Sequence, residues 1–176
     1  MQSEYLAIGS DVALRCMTAD DQPIFQQWLA GSAELRLLID NPHVPTMQDQ
    51  LAWFANLEAR NDRKLFSIVT HPDGVLIGNG GFVDIDQAKK SAMFRITIGH
   101  PEFVGKGFGT QAIRLLLAYG FNELGYKMIN LSVLKVNARA IASYKKVGFI
   151  EVADSSAAAD SATIRMTLDR PSFLAA

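Results

Sequence analysis

Apolar residues recur with two different periods along the chain, and the switches between them mark out its elements. Residues 93–98 alternate strictly, with Phe94, Ile96 and Ile98 on one face and Met93, Arg95 and Thr97 on the other, which is the period of a strand. After three alternate glycines, Ala112, Ile113, Leu116, Leu117 and Phe121 recur at helical spacing as far as Gly125. The order there is strand, glycine turn, helix. Further upstream the pattern predicts a strand over 12–17 and a helix that starts at Thr18, Asp20, Asp21, Gln22 and Pro23, with Ile24, Phe25, Trp28 and Leu29 as its apolar positions. A short helix follows over 33–38. Asn41-Pro-His-Val-Pro45 interrupts it, and Thr46 heads another helix that carries Leu51, Phe54 and Ala55 and ends around 61–62.

From Leu65 the period changes to two. Residues 65–70, the turn His71-Pro-Asp-Gly74 and residues 75–78 read as strand, turn, strand, and 80–85 continue the second strand across glycines of the kind that mark a bulge. With 93–98, beyond a polar turn over 84–91, these strands form an antiparallel meander. Downstream, 128–133 reads as a strand, 138–147 as a helix, and 149–152 and 162–168 as two last strands joined by a polar, alanine-rich loop over 153–161. No internal repeat or interdomain linker breaks the series. The expectation is one α/β domain over residues 1–176.

The glycine turn carries the first chemistry. Gly105, Gly107 and Gly109 let the backbone wrap closely at a helix N-terminus, where unpaired N–H groups and the helix dipole favour an anion, and Lys106 adds a cation. A nucleoside-triphosphate loop needs Gly-Lys followed by Ser or Thr, whereas Lys106 is followed by Gly107 and Phe108. A dinucleotide fingerprint needs Gly-x-Gly-x-x-Gly and an acidic residue after the next strand, whereas Glu123 lies inside the helix. Phosphate binding of another kind is expected. The alternative is glycines that only relieve crowding.

Composition narrows the partners. With a formal charge of −1 and no basic run, nothing points to a nucleic-acid surface, and no apolar run approaches membrane-spanning length. The N-terminal residues lack a basic segment followed by an apolar stretch, so a cytoplasmic protein is expected. The single Cys16 cannot form an internal disulfide and is expected as a buried thiol in its strand. His43, His71 and His100 each adjoin a proline, and with one cysteine they give no metal-ligand spacing, so no catalytic metal is expected.

A second segment, Asn137 to Phe149, joins the first. Asn137 is placed to cap a helix whose Ala140, Ile141, Tyr144 and Val147 share much of one face, with Gly148 terminating it. Tyr144 stands about two turns beyond the cap, able to project into a cleft bordered by the glycine turn. Together with residues 75–82, these two segments resemble the GCN5-related N-acetyltransferase superfamily, and most nearly its RimJ/RimL-like branch, over residues 12–168.

The resemblance implies a mixed central sheet, split between two adjacent parallel strands and flanked by helices, that binds acetyl-coenzyme A in the split. By similarity, residues 93–99, with Ile96 and Ile98, offer backbone groups to the pantetheine arm. Val104, Gly105, Lys106, Gly107, Phe108, Gly109 and Thr110 wrap the pyrophosphate, and Asn137 lies near the pantetheine. The implied reaction is attack of a neutral primary amine on the thioester, with an N–H near Ile98 stabilising the carbonyl oxygen and Tyr144 protonating the departing thiolate. The acceptor is a small molecule or a peptide N-terminus, and the protein a monomer or homodimer. A non-catalytic acyl-coenzyme A binder on the same fold is the competing reading.

Two departures motivate that competitor. Val104 stands where the family motif has Arg or Gln, and Met93 stands where many relatives place a glutamate base. Asp84, Asp86, Glu102 or His100 would have to substitute, or water would take the proton. On the acceptor side, Trp28, Phe25, Leu37, Leu38, Trp53 and Phe54 are available for a wall, with Trp28, Asp84, Met93 and Arg95 the candidate substrate contacts. Asp40 and Glu34 suit a cationic amine, while Arg36 and Arg95 leave room for a carboxylate on the acceptor.

Overall fold

A computed structural model describes residues 5–152 and 162–175; the loop expected over 153–161 lies outside the described residues. In chain order the elements are β1 (Ala7–Ile8), β2 (Val12–Cys16), α1 (Gln22–Gly31), α2 (Ala33–Leu38), α3 (Met47–Glu58), β3 (Lys64–Thr70), β4 (Leu76–Asp86) and β5 (Ser91–Ile98). They continue with α4 (Phe108–Asn122), β6 (Met128–Leu134), α5 (Ala138–Lys146), β7 (Ile150–Val152), β8 (Thr163–Asp169) and α6 (Arg170–Ala175). The eight strands form one sheet in the order β1-β2-β3-β4-β5-β6-β8-β7. Every neighbouring pair is antiparallel except β5 and β6, which run parallel because α4 carries the chain across between them. This is the mixed, helix-flanked sheet that the motifs imply.

The helix predicted from Ala112 to Phe121 supplies the main core. Ile113, Leu116, Leu117 and Phe121 of α4 are buried with Phe82 and Phe94 of the meander and Ile129 and Leu131 of β6. Gly120 is needed for close approach: a Cβ there would lie 2.5 Å from Cζ of Phe82. Caps follow the sequence cues. Thr46 Oγ1 accepts from Asp49 N at 3.1 Å while Asp49 Oδ2 accepts from Thr46 N at 2.8 Å, and Ser32 Oγ accepts from Leu35 N at 3.0 Å.

Three features differ from expectation, while the second strand of the meander does run on across its glycines as one strand, β4, with its bulge at Ile77, since Leu76 pairs with Val69 but Gly78 with Ile68. Thr18 heads a single 3-10 turn (Ala19–Asp21) before α1 begins. Cys16 is exposed rather than buried: β2 is buried over Val12, Ala13 and Leu14 only, and its last residues run past the core. Finally, α6 was not expected. Its first turn is tied by Asp169 Oδ1, which accepts from Ser172 N at 2.8 Å, and Phe173 packs on Phe121 with ring centroids 5.2 Å apart. Among the described residues no helix is long and apolar enough to cross a membrane.

Candidate active site

The sheet opens where its two parallel strands part. β5 and β6 are in register only at Ser91–Met128, Ala92–Ile129 and Met93–Asn130, after which both strands continue without pairing. Beyond that point β6 is held from its other side by β8, and β5 by β4. Successive strand residues direct their N–H groups to opposite sides. Gly99 N donates to Ile77 O at 3.0 Å on the β4 side, so the N–H of Ile98 faces the opening. The opening is a cleft of about 640 Å³ lined by Ile96, Ile98, Val104, Asn137 and Tyr144 among others.

At one end of this cleft lies the glycine turn. Gly105 and Gly107 have φ of +76° and +93°, and a Cβ at either would meet nothing within 4 Å. Crowding is therefore not what requires glycine there; the left-handed backbone is. Gly107 is the N-cap residue of α4, so the N–H groups of the first helical turn point into the mouth of the cleft with no partner within the helix. Asn137 caps α5 by accepting from Ala140 N at 3.2 Å through Oδ1, which leaves its Nδ2 as a donor on the cleft lining. Thr110 Oγ1 donates to Ser143 Oγ at 3.3 Å and Arg114 Nη2 to Lys146 O at 3.0 Å, fixing α4 against α5 across the mouth.

Tyr144 is buried, with its ring edge-on to Phe94 at 6.3 Å and Phe149 at 5.7 Å. Burial pushes its phenol up to about 12, so it stays protonated through the neutral and mildly alkaline range. Its protonated hydroxyl belongs to a residue that lines the cleft.

On the other side of β5, a second cavity of about 570 Å³ is walled by Phe25, Trp28 and Trp53, with Asp40, Asp49, Asp84, Arg63 and Arg95 among its polar groups. Leu35, Ile39, Asp40, Arg95 and Thr97 line both cavities, so the two meet across the outer half of β5. Trp28 is seated directly on Gly99, where a Cβ would lie 2.2 Å from its ring, and His100 packs edge-on against it at 6.2 Å.

Residues 11–150 match the family model for the acetyltransferase (GNAT) domain. The chain belongs to this GNAT acetyltransferase family. It is 29% identical over 138 residues to spermidine N(1)-acetyltransferase of Escherichia coli strain K12, covering 78% of this chain and 72% of that protein. Its fold superposes on Vibrio cholerae spermidine N-acetyltransferase in complex with CoA and spermine with a TM-score of 0.82 at 23% identity, covering 94% and 99% of the two chains. A dodecameric form of the Vibrio cholerae protein superposes at 0.75, also at 23% identity, over 94% and 98%. The chemistry of this acetyltransferase is N-acetyl transfer, with acetyl-coenzyme A as its cosubstrate. The cleft fits that donor: free N–H groups and an open, left-handed turn at one end suit a pyrophosphate, and a buried phenol lies further along.

The structure gathers most of the candidate residues and releases others. Ile96, Ile98, Val104, Gly105, Gly107, Gly109, Thr110, Asn137 and Tyr144 line the donor cleft, whereas Lys106 is exposed and Phe108 packs on Phe103 at 5.0 Å, and neither of these two lines it. Met93 lines the donor cleft at the last paired position rather than the acceptor cavity. Trp28, Asp84 and Arg95 line the second cavity, as do Phe25 and Trp53, while Phe54 is buried in the core, Leu37 is exposed, and Leu38 lines the donor cleft. Glu34 lines neither cavity. Arg36 is withdrawn from substrate because its guanidinium donates to the carbonyls of Leu29 and Ala30 at the end of α1. Among the substitute bases, Asp86 is bound in its turn, accepting from Lys89 N at 2.9 Å and pairing with Lys89 Nζ at 3.2 Å. Glu102 and His100 line neither cavity, and His100 is packed between Trp28 and Phe103. Residues missed at first are Arg139, Ser143 and Lys146 on the cleft wall; their spacing of four and three residues places them on one face of α5 and was available as a signal.

Replacing Gly107 by alanine relaxes the turn from its left-handed form, and binding must restore that form at about 1–2 kcal/mol. Calorimetric titration with coenzyme A is expected to show affinity about tenfold lower, with no change in melting temperature beyond a few degrees.

Proposed function

We propose that this acetyltransferase acetylates a primary amine of a polyamine-like small molecule. The observation that carries the reading is the meeting of the donor cleft with an aromatic-walled cavity holding Asp40 and Asp84, neither of which forms an ion pair among the described residues. Carboxylates on apolar walls suit a flexible chain of methylenes and ammonium groups. The spermidine acetyltransferases similar to this chain support the same class. Within the family, the RimJ/RimL-like branch is our reading of the motifs, and a cytoplasmic, single-domain protein is part of the proposal. A dodecamer is described for the Vibrio cholerae relative, and higher assembly than a homodimer is compatible with this fold.

In the mechanism, residues 96–98 hold the thioester arm along the unpaired edge of β5, and the glycine turn with the first turn of α4 holds the pyrophosphate. The N–H of Ile98 meets the carbonyl oxygen as charge develops on it. Tyr144 gives its proton to the departing sulfur. Trp28 and Trp53 exclude water from the acceptor side.

Release of free thiol, followed with acetyl-coenzyme A and a panel of spermidine, spermine, amino acids and aminoglycosides, tests the acceptor class. Turnover is expected to be highest with the polyamines. If carboxylate-bearing amines lead and Arg95→Gln abolishes their advantage, the acceptor cavity is built around Arg95 and the polyamine reading is wrong.

A further inference from the structure

We propose that Asp40 is the carboxylate that receives the proton of the attacking amine, the role that Met93 cannot fill. This rests on the polyamine-acetyltransferase reading and names a further catalytic residue within it.

Asp40 is placed by the backbone against local preference. Asp40 N donates to Leu37 O at 3.1 Å and Asn41 N to Arg36 O at 2.9 Å, the paired closing bonds of a helix end in which the residue after the cap is left-handed. That residue is commonly glycine; here it is Asp40, at φ +55°. The motif fixes its Cα at the end of α2, and the residue lines both the donor cleft and the acceptor cavity. Among the described residues no other carboxylate does so: Asp84 and Asp49 line the acceptor cavity alone. Asp49 is further engaged by Thr46 and by His43 at 3.5 Å.

The charged groups that share the acceptor cavity with Asp40 are Arg95 of β5, Asp84 of β4, His43 ahead of α3, Asp49 in its first turn, and Arg63 just ahead of β3. On the donor side stand Arg139, Lys146 and the neutral Tyr144 of α5. In the proposed step one proton of the ammonium passes to a carboxylate oxygen of Asp40. The freed lone pair forms the C–N bond, the C–S bond breaks, and sulfur takes the phenolic proton of Tyr144. The second nitrogen proton leaves to restore the phenol through water, and Asp40 returns its proton to solvent. One proton is released per turnover, as acetylation of an ammonium requires.

The test is steady-state kinetics against pH with the full chain, acetyl-coenzyme A and spermidine. Asp40→Asn keeps size and tolerates the left-handed backbone; kcat near neutrality is expected to fall about tenfold and to recover as pH rises towards the amine's own ionisation, with coenzyme A affinity unchanged. Asp40→Gly is expected to lose the same activity without lowering the melting temperature, which separates chemistry from folding. Glu34→Gln, on α2 but outside both cavities, leaves the profile unchanged. Wild-type kcat and pH profile in Asp40→Asn overturn the proposal, as does a pH-independent rise in KM alone, which makes Asp40 an anchor and not a base. If the wild type does not turn over spermidine, the polyamine reading fails by itself, and Asp40 is judged by the same profile with whichever amine of the panel is acetylated.

Discussion

Tyr144→Phe is expected to lower kcat by about two to three orders of magnitude while binding of coenzyme A stays at the wild-type level. The variant keeps the ring that packs on Phe94 and Phe149 and removes only the hydroxyl, so the core around it is preserved. What is lost is a proton held in place: burial pushes the phenol up to about 12, and an acid with that value is fully protonated wherever the enzyme works. A thiolate leaving without it carries its full charge into a cleft of low dielectric. The deficit therefore depends on the leaving group. With an acetyl thioester of a more acidic thiol the gap between wild type and Tyr144→Phe is expected to narrow, whereas a variant damaged by misfolding loses activity equally with both donors. Equal activity of the variant with acetyl-coenzyme A would remove Tyr144 from the chemistry.

The donor side was legible because its determinants are local. Strict alternation over residues 93–98, a glycine turn and a helical repeat place the anion site between adjacent elements, and Asn137 and Tyr144 sit on one short helix. The alternative of glycines that only relieve crowding falls away at Gly105 and Gly107, which stand in open space with positive φ. On the acceptor side the determinants are non-local. Arg36 in the last turn of α2 and Asp40 just past its cap lie four residues apart, yet one is bound to the end of α1 and the other lines the junction of two cavities, an outcome set by how α1 and α2 pack. Cys16 illustrates the same limit: alternation predicts a strand but not where that strand outruns its core.

The helix that walls the acceptor cavity is moored by a single buried carboxylate, and Asp21→Ala is expected to cost about 3–5 kcal/mol of stability, read as a lower midpoint in chemical denaturation. Arg15 donates to Asp21 through both Nη atoms, at 2.8 and 2.6 Å, Ser67 Oγ donates at 2.7 Å, and Thr18 N at 2.9 Å. Only 4% of the Asp21 side chain is exposed. Burial by itself raises the carboxyl, but the hydrogen bonds from Arg15, Ser67 and Thr18 outweigh it and hold the group below the ordinary aspartate value of 3.8. A carboxylate held lower in the folded than in the unfolded chain stabilises the fold above its unfolded value. That contribution is lost as pH falls through the lower folded value, so wild type and Asp21→Ala should converge in stability in acid. Removing the charge of Arg15 together with that of Asp21 is expected to recover part of the loss, because the guanidinium no longer sits beside a site that has lost its carboxylate; Ser67 and Thr18 still lack their acceptor, so recovery stays incomplete. Since these bonds tie β2 and β3 to the start of α1, which carries Phe25 and Trp28, the loosened variant is expected to show a raised KM for the amine at temperatures where the bulk of the protein is still folded.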